Sequence, residues 1–184
     1  MEQEKKKLNL RIIIPVIVAI VVIAIVGVII SKSKKPEEEI SKEEIKQITY
    51  KEYSILGLSF ELPEEWKIKE EETGLSAQFD SEFSSFSILT KEIPSSQFTY
   101  FAESYMPNMI QQLGYTKTKT YTKNTYSNYN AYDYEAKTII QGKTVPVKIT
   151  VINSSKGVVT FLLVYGDSSY EYLDVYNHIL NSIK

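Results

Sequence analysis

His178 is the one histidine in the chain, and on a helix it would share a face with Glu171 and Asp174, at spacings of three and four, as carboxylate and imidazole ligands to a metal do. The two-histidine spacings of zinc enzymes are absent, and the same residues lie opposite an apolar stripe. A solvated helix face accounts for them, so no metal is expected. Gly74-Leu75-Ser76-Ala77-Gln78 has the outline of a nucleophile elbow, but it closes on Gln78 rather than glycine and lacks the strand-to-helix context. Ser76 is therefore not read as catalytic. The seven glycines form neither GxGxxG nor GxxxxGK, which excludes nucleotide binding through those motifs. With no cysteine there are no disulfides, no thiolate metal sites and no cysteine-linked lipid anchor. No catalytic, metal or cofactor residue is assigned, and no cofactor is expected.

The tyrosines stand out more. The chain has 14, and Tyr115, Tyr121, Tyr126, Tyr129, Tyr132 and Tyr134 crowd one segment. Tyr132 and Tyr134 fall on one face of a strand and are read as packing under a helix. Tyr126 and Tyr129 lie with Asn124, Asn128 and Asn130 in a predicted loop, where exposed rings stack on sugars or anchor a protein partner at low entropy cost. These two are the candidate partner contacts. Lys117, Lys119 and Lys123 are read as guards of an edge strand. The acidic residues from Glu61 to Glu72 read as solvated surface. Asn153-Ser154-Ser155 fits a glycosylation acceptor in a turn, relevant only in a host that glycosylates exported proteins.

Several elements must position these residues. Leu56, Leu58, Phe60 and Leu62 alternate with polar residues until Pro63, and Leu75, Ala77 and Phe79, then Phe86 and Ile88, alternate again around a Thr73-Gly74 turn. This predicts an antiparallel meander. Phe98, Phe101, Ala102, Tyr105, Met109 and Leu113 recur at helical spacing, with a serine to cap the start, Gly114 at the stop, and Pro107 to kink or split the middle. Strands follow over 115–136, Val145–Ile152 and Val158–Tyr165, the last apolar on both faces and hence central and covered on both sides. Tyr172, Leu173, Tyr176, Ile179, Leu180 and Ile183 give a closing helix its buried stripe, with Glu171, Asp174, His178 and Asn181 facing away.

Ahead of this domain, the chain between Arg11 and Ser31 is unbroken apolar sequence, long enough at about 1.5 Å per residue to span a bilayer core of roughly 30 Å. Residues 1–11 are read as a cytoplasmic tail, 12–30 as a transmembrane helix, 31–52 as a charged stalk and 53–184 as the globular domain. Ser41 and Glu44 match a capping box for a short stalk helix. A cleaved signal peptide is the rival for the apolar run, but its apolar core spans about 7 to 15 residues and ends at small residues, which favours retention as an anchor. Lys5, Lys6, Lys7 and Arg11 on the short N-terminal side favour that end inside, placing the domain outside the cytoplasmic membrane. A net charge of −2 leaves no basic surface of the kind a nucleic-acid binder needs.

Three signatures, Leu56-Gly57-Leu58-Ser59-Phe60-Glu61-Leu62-Pro63-Glu64-Glu65-Trp66, Leu113-Gly114-Tyr115 and Ile179-Leu180-Asn181-Ser182-Ile183, resemble the PsbP/Mog1-like domain over the stretch from Tyr53 to Lys184. The resemblance implies an α+β fold, an antiparallel β-sheet sandwiched between helices, here preceded by one transmembrane helix. Its members include the photosystem II extrinsic protein, a Ran-binding protein and many exported prokaryotic proteins without assigned activity. They share protein binding or assembly rather than catalysis, and none of the three signatures is catalytic. The expected function is a single-pass membrane-anchored extracytoplasmic binding or assembly module, not an enzyme, whose partner is another envelope or membrane protein. The alternatives are an envelope hydrolase using carboxylates that one dimension does not reveal, or a wall-polymer or carbohydrate-binding module.

The topology has a direct check. Protease added to intact cells stripped of their wall is expected to cut within 31–52, and cutting only after the membrane is broken would reverse the orientation.

Overall fold

A computed structural model of the chain describes residues 48–78, 83–166 and 169–184. The tail, the apolar segment 12–30, the stalk up to residue 47 with its capping box, and Phe79 lie outside the described residues. Among the described residues no helix is long and apolar enough to cross a membrane.

Among the described residues ten strands form in order: β1 (Tyr50–Ile55), β2 (Leu58–Pro63), β3 (Lys67–Glu71), β4 (Gly74–Gln78), β5 (Ser85–Lys91), β6 (Thr116–Lys117), β7 (Thr122–Tyr126), β8 (Tyr129–Ile140), β9 (Lys143–Ser154) and β10 (Gly157–Val164). An eight-stranded sheet runs β3-β4-β5-β10-β9-β8-β6, with β7 also paired to β8, and β1 with β2 makes a separate hairpin. Each pairing is antiparallel. The predicted meander is thus β3-β4-β5. Leu56 is not in a strand as expected: with Gly57 it forms the turn before β2, both at positive φ (47° and 76°), the geometry of the two-residue turn that fits strand twist. A leucine there is strained by about 1 kcal/mol. The Ser154 hydroxyl, donating to the Leu56 carbonyl at 2.8 Å, holds the turn from the main sheet. Strand β1 starts at Tyr50, inside the expected stalk.

Strand β10 is buried at every residue, as its two apolar faces require. Val159, Phe161 and Leu163 pack with Phe86 and Ile88 of β5, the β2 residues Leu58, Phe60 and Leu62, and Val175, Tyr176 and Ile179 of the C-terminal helix (Ser169–Asn181). Val158, Leu162 and Val164 pack on the opposite side with Tyr132, Tyr134, Val147 and Ile149 of β8 and β9, under Phe98, Phe101, Met106 and Ile110 of the central helix. The expected sandwich is present, and its two covering layers are offset: one centred on β10, β5 and β4 and reaching Ile152 of β9 and Ala131 of β8, the other over β10, β9 and β8.

The central helix changes pitch along its length: a 3₁₀ turn at Ser95–Gln97, an α turn at Phe98–Tyr100, a π segment at Phe101–Tyr105 and an α segment at Met106–Gln112. Pro107 causes the irregularity. In the π register Met106 donates its amide to the Phe101 carbonyl, and the Ala102 carbonyl would need the amide of residue 107, which proline lacks. The buried Tyr134 hydroxyl donates to the Ala102 carbonyl instead. The wide turn also shifts the inward stripe: Met106 and Ile110 are fully buried where Tyr105, Met109 and Leu113 were expected. No serine caps the start, which follows Pro94 without a side-chain cap bond. Gly114 closes the helix as predicted, at φ 77°, with its amide bonded to the Gln111 carbonyl and that of Tyr115 to the Ile110 carbonyl.

Removing the Tyr134 hydroxyl by Tyr134→Phe is expected to cost about 1–3 kcal/mol, because it strands a buried carbonyl. In a Pro107→Ala background, where an amide is restored, the same change should cost less by at least roughly 0.5 kcal/mol. Urea unfolding of the four proteins of this cycle measures the coupling, and purely additive effects would remove Pro107 from the account.

Candidate functional site

Along β8, alternate side chains serve opposite faces. Tyr132, Tyr134 and Ala136 point to the central helix, while Asp133 and Glu135 point to the face that carries the C-terminal helix. On that face the rows across the sheet turn from apolar to polar at its β8 side. Phe161 of β10 stands opposite Thr150 of β9, which stands opposite Asp133, which stands opposite Thr122 of β7; in the next row Leu163 leads to Lys148 and Glu135. The C-terminal helix covers the apolar part and leaves a cleft over the polar part.

The cleft is opened further by a break in the sheet edge. Lys117 pairs with Ala136 and Thr122 with Asp133, so four residues (118–121) face only Tyr134 and Glu135. Such a bulge pushes the surplus chain out of the sheet. Its residues Lys119 and Thr120, with Tyr134, line two cavities. One, of about 220 Å³, is bounded by Tyr126, Asp133, Lys148, Thr150, Leu173 and Asn177. The other, of about 410 Å³, lies against Glu103 and Pro107 of the central helix and Lys117 and Tyr121.

A hydrogen-bonded chain runs from the core to the first cavity. The Thr150 hydroxyl donates to Asp133 Oδ1 at 2.7 Å and is itself 2.9 Å from the hydroxyl of fully buried Tyr176. Asp133 Oδ2 accepts from Tyr126 and from Asn124 Nδ2, each at 3.0 Å. Burial, and after it the Asp133 charge, push the Tyr126 hydroxyl far above its ordinary value, and burial does the same to Tyr176. Both stay neutral donors. Glu135 forms a 2.9 Å ion pair with Lys148, whose hydrogen bond holds the carboxyl below the usual range. On the other face, Lys123 and then Tyr132 donate to Glu103 and lower its carboxyl likewise.

The candidate contacts Tyr126 and Tyr129 are placed differently from the expectation. Residues 124–130 are not a loop: β7 and β8 form a tight hairpin there, turning at Ser127 and Asn128, with Tyr126 and Tyr129 as directly opposed cross-strand neighbours. Both rings are half-buried. Tyr126 lines the cleft; Tyr129 leans on the β1–β2 hairpin, its hydroxyl 3.5 Å from the Gly57 carbonyl. Tyr132 and Tyr134 pack under the central helix as predicted.

His178 does not face away from the fold. Its ring stacks on Tyr50 at 3.7 Å and its Nε2 lies 2.9 Å from Glu61, so it ties the C-terminal helix to the hairpin. Glu171 and Asp174 remain exposed, and among the described residues no group of three or more His, Cys, Asp or Glu side chains is arranged to hold a metal. Ser76 is buried in β4 with its hydroxyl 3.3 Å from Glu71, far from any elbow geometry. Asn153 is not in a turn: it is a β9 residue paired with Val158, its Oδ1 buried, which is no place for a glycan acceptor. Asp133 and Thr150 were missed by sequence reasoning. The acidic residues alternating with Tyr132, Tyr134 and Ala136 were the available signal, but their partners on β7 and β9 are set only by register.

No protein-family model matches the chain, and none of the curated proteins matches it in sequence. Solved structures match in fold. The solution structure of cyanobacterial PsbP (CyanoP) from Synechocystis sp. PCC 6803 superimposes with a TM-score of 0.58 at 13% identity, over 78% of this chain and 96% of that one. A crystal structure of a protein from Bacteroides thetaiotaomicron VPI-5482 gives a TM-score of 0.52 at 8% identity, over 70% of this chain and 44% of that one. The antiparallel sheet between its two covering layers is therefore a PsbP-like fold, as the sequence signatures implied.

Proposed function

We propose that the protein is a membrane-tethered, extracytoplasmic binding module, without catalytic activity, that holds a component of the cell envelope in the cleft at the bulged edge of its sheet. The observation that carries this reading is the cleft itself. It sets apolar walls, Tyr126 and Leu173, around convergent polar groups that the fold fixes before any ligand arrives, the pattern of a binding site. The carboxylates in it are poorly suited to hydrolysis. A general acid needs a raised carboxyl, whereas Glu135 is held low by Lys148 and both oxygens of Asp133 already accept bonds from protein donors. The apolar segment 12–30, with its basic N-terminal flank, supports tethering at the outer face of the cytoplasmic membrane.

A photoreactive amino acid placed at Thr120, in the bulge, tests this in intact cells against the same group at Glu70 on β3, the opposite edge of the sheet. A discrete, slower-migrating adduct from the Thr120 position alone is the expected result. Adducts from both positions, or from neither, would overturn the assignment of the cleft.

A further inference from the structure

We propose that the cavity beside the C-terminal helix takes one ring of an uncharged, hydroxyl-rich chain, that is, a neutral glycan; this rests on the binding-module reading above. The charges inside the cavity point to an uncharged ligand. Glu135 and Lys148 neutralise each other at 2.9 Å, Asp133 is committed to Tyr126, Asn124 and Thr150, and Lys119, the fourth charged side chain of the lining, offsets the Asp133 charge in the sum. A strongly charged ligand would upset this balance: an anion would meet Asp133 and Glu135, and a cation Lys119 and Lys148. Besides Lys119, the lining groups with capacity to spare are neutral. Thr120, Thr122 and Asn177 border the cavity and make no side-chain hydrogen bond to one another or to the other described residues. Two hydroxyls and an amide, each able both to donate and to accept, match the mixed demands of sugar hydroxyls.

Shape points the same way. At about 220 Å³ the cavity is smaller than the roughly 300–1,000 Å³ of sites for drug-sized molecules, so it suits a single ring of a chain that continues into solvent. Tyr126 and Leu173 give it apolar walls for the C–H face of such a ring. The Tyr126 ring is held in place by its bond to Asp133 and needs no reordering on binding. The second cavity, on the other face of the bulge, shares Lys119 but adds Lys117, with Glu103 as its one carboxylate, and so lacks this balance.

Calorimetric titration of the full chain in detergent micelles with chitotetraose and with maltotetraose, and with inorganic polyphosphate as the anionic contrast, tests the proposal. Saturable binding of at least one oligosaccharide is expected, weakened about tenfold or more by Tyr126→Ala, as removal of a central aromatic contact does. Because Tyr126→Ala also cuts a bond to Asp133, Thr122→Trp, which fills the cavity from an exposed strand position, serves as the second variant and should abolish binding with the thermal melt unchanged. Binding of neither oligosaccharide, binding indifferent to Thr122→Trp, or competition by polyphosphate would each overturn the glycan assignment. If glycan binding fails while the Thr120 crosslink to a protein persists, the binding-module reading stands and only the ligand class falls; loss of both removes both.

Discussion

The fold depends on one strand that has no polar face. All residues of β10 are buried, with Val159, Phe161 and Leu163 on one side and Val158, Leu162 and Val164 on the other, so a single covering layer would leave half of them in water. At roughly 25 cal/mol per Å² of apolar surface, that is several kcal/mol that only a second layer recovers. The two layers come from different parts of the chain and are offset to either side of β10. Each face of the sheet therefore has one covered half and one open half. On the side of the C-terminal helix the open part lies over the ends of β8 and β9 that carry Asp133, Glu135, Lys148 and Thr150, while Ala131 and Ile152 of the same strands join the covered apolar cluster.

Strand β8 couples this surface to the core. Because its side chains alternate, Tyr132 and Tyr134 brace the central helix while Asp133 and Glu135, their immediate neighbours, face the cleft. Tyr134 supplies the hydrogen bond that Pro107 removes from the helix, and the same residue lies across from the bulge that opens both cavities. A helix irregularity and a sheet irregularity thus meet at one tyrosine. The arrangement is rigid where a binding surface benefits from rigidity: the cleft wall is fixed by Tyr126, Asp133, Thr150 and Tyr176 in series, ending on a fully buried hydroxyl.

The β1–β2 hairpin is joined to the rest of the domain by specific polar contacts as well as by its apolar face. Ser154 holds its strained turn, Ser59 exchanges backbone hydrogen bonds with Lys184, and His178 meets both Tyr50 and Glu61. These contacts close the free edge of β2 with the C-terminal residues, which limits unwanted pairing with other chains.

Much of the architecture follows from the sequence alone, because it is written in short-range periodicity. The doubly apolar run of β10, the alternation of β2, β4 and β5, the glycine stop at Gly114 and the stripe containing Tyr176 and Ile179 each reflect a burial demand readable within a few turns or a few strand residues. What tertiary structure decided is which distant residues those elements bring together. The phase of the central helix from Met106 onward depended on Tyr134 being available to bond the Ala102 carbonyl. Residues 124–130 became a hairpin because β7 found β8 to pair with, His178 turned inward because Tyr50 and Glu61 lay beside it, and Asp133 joined Thr150 and Tyr126 only through sheet register. Burial preference is carried by each residue and its near neighbours, and so is legible locally; hydrogen-bond partners and clefts are properties of pairs far apart in sequence, and exist only once the chain has closed on itself.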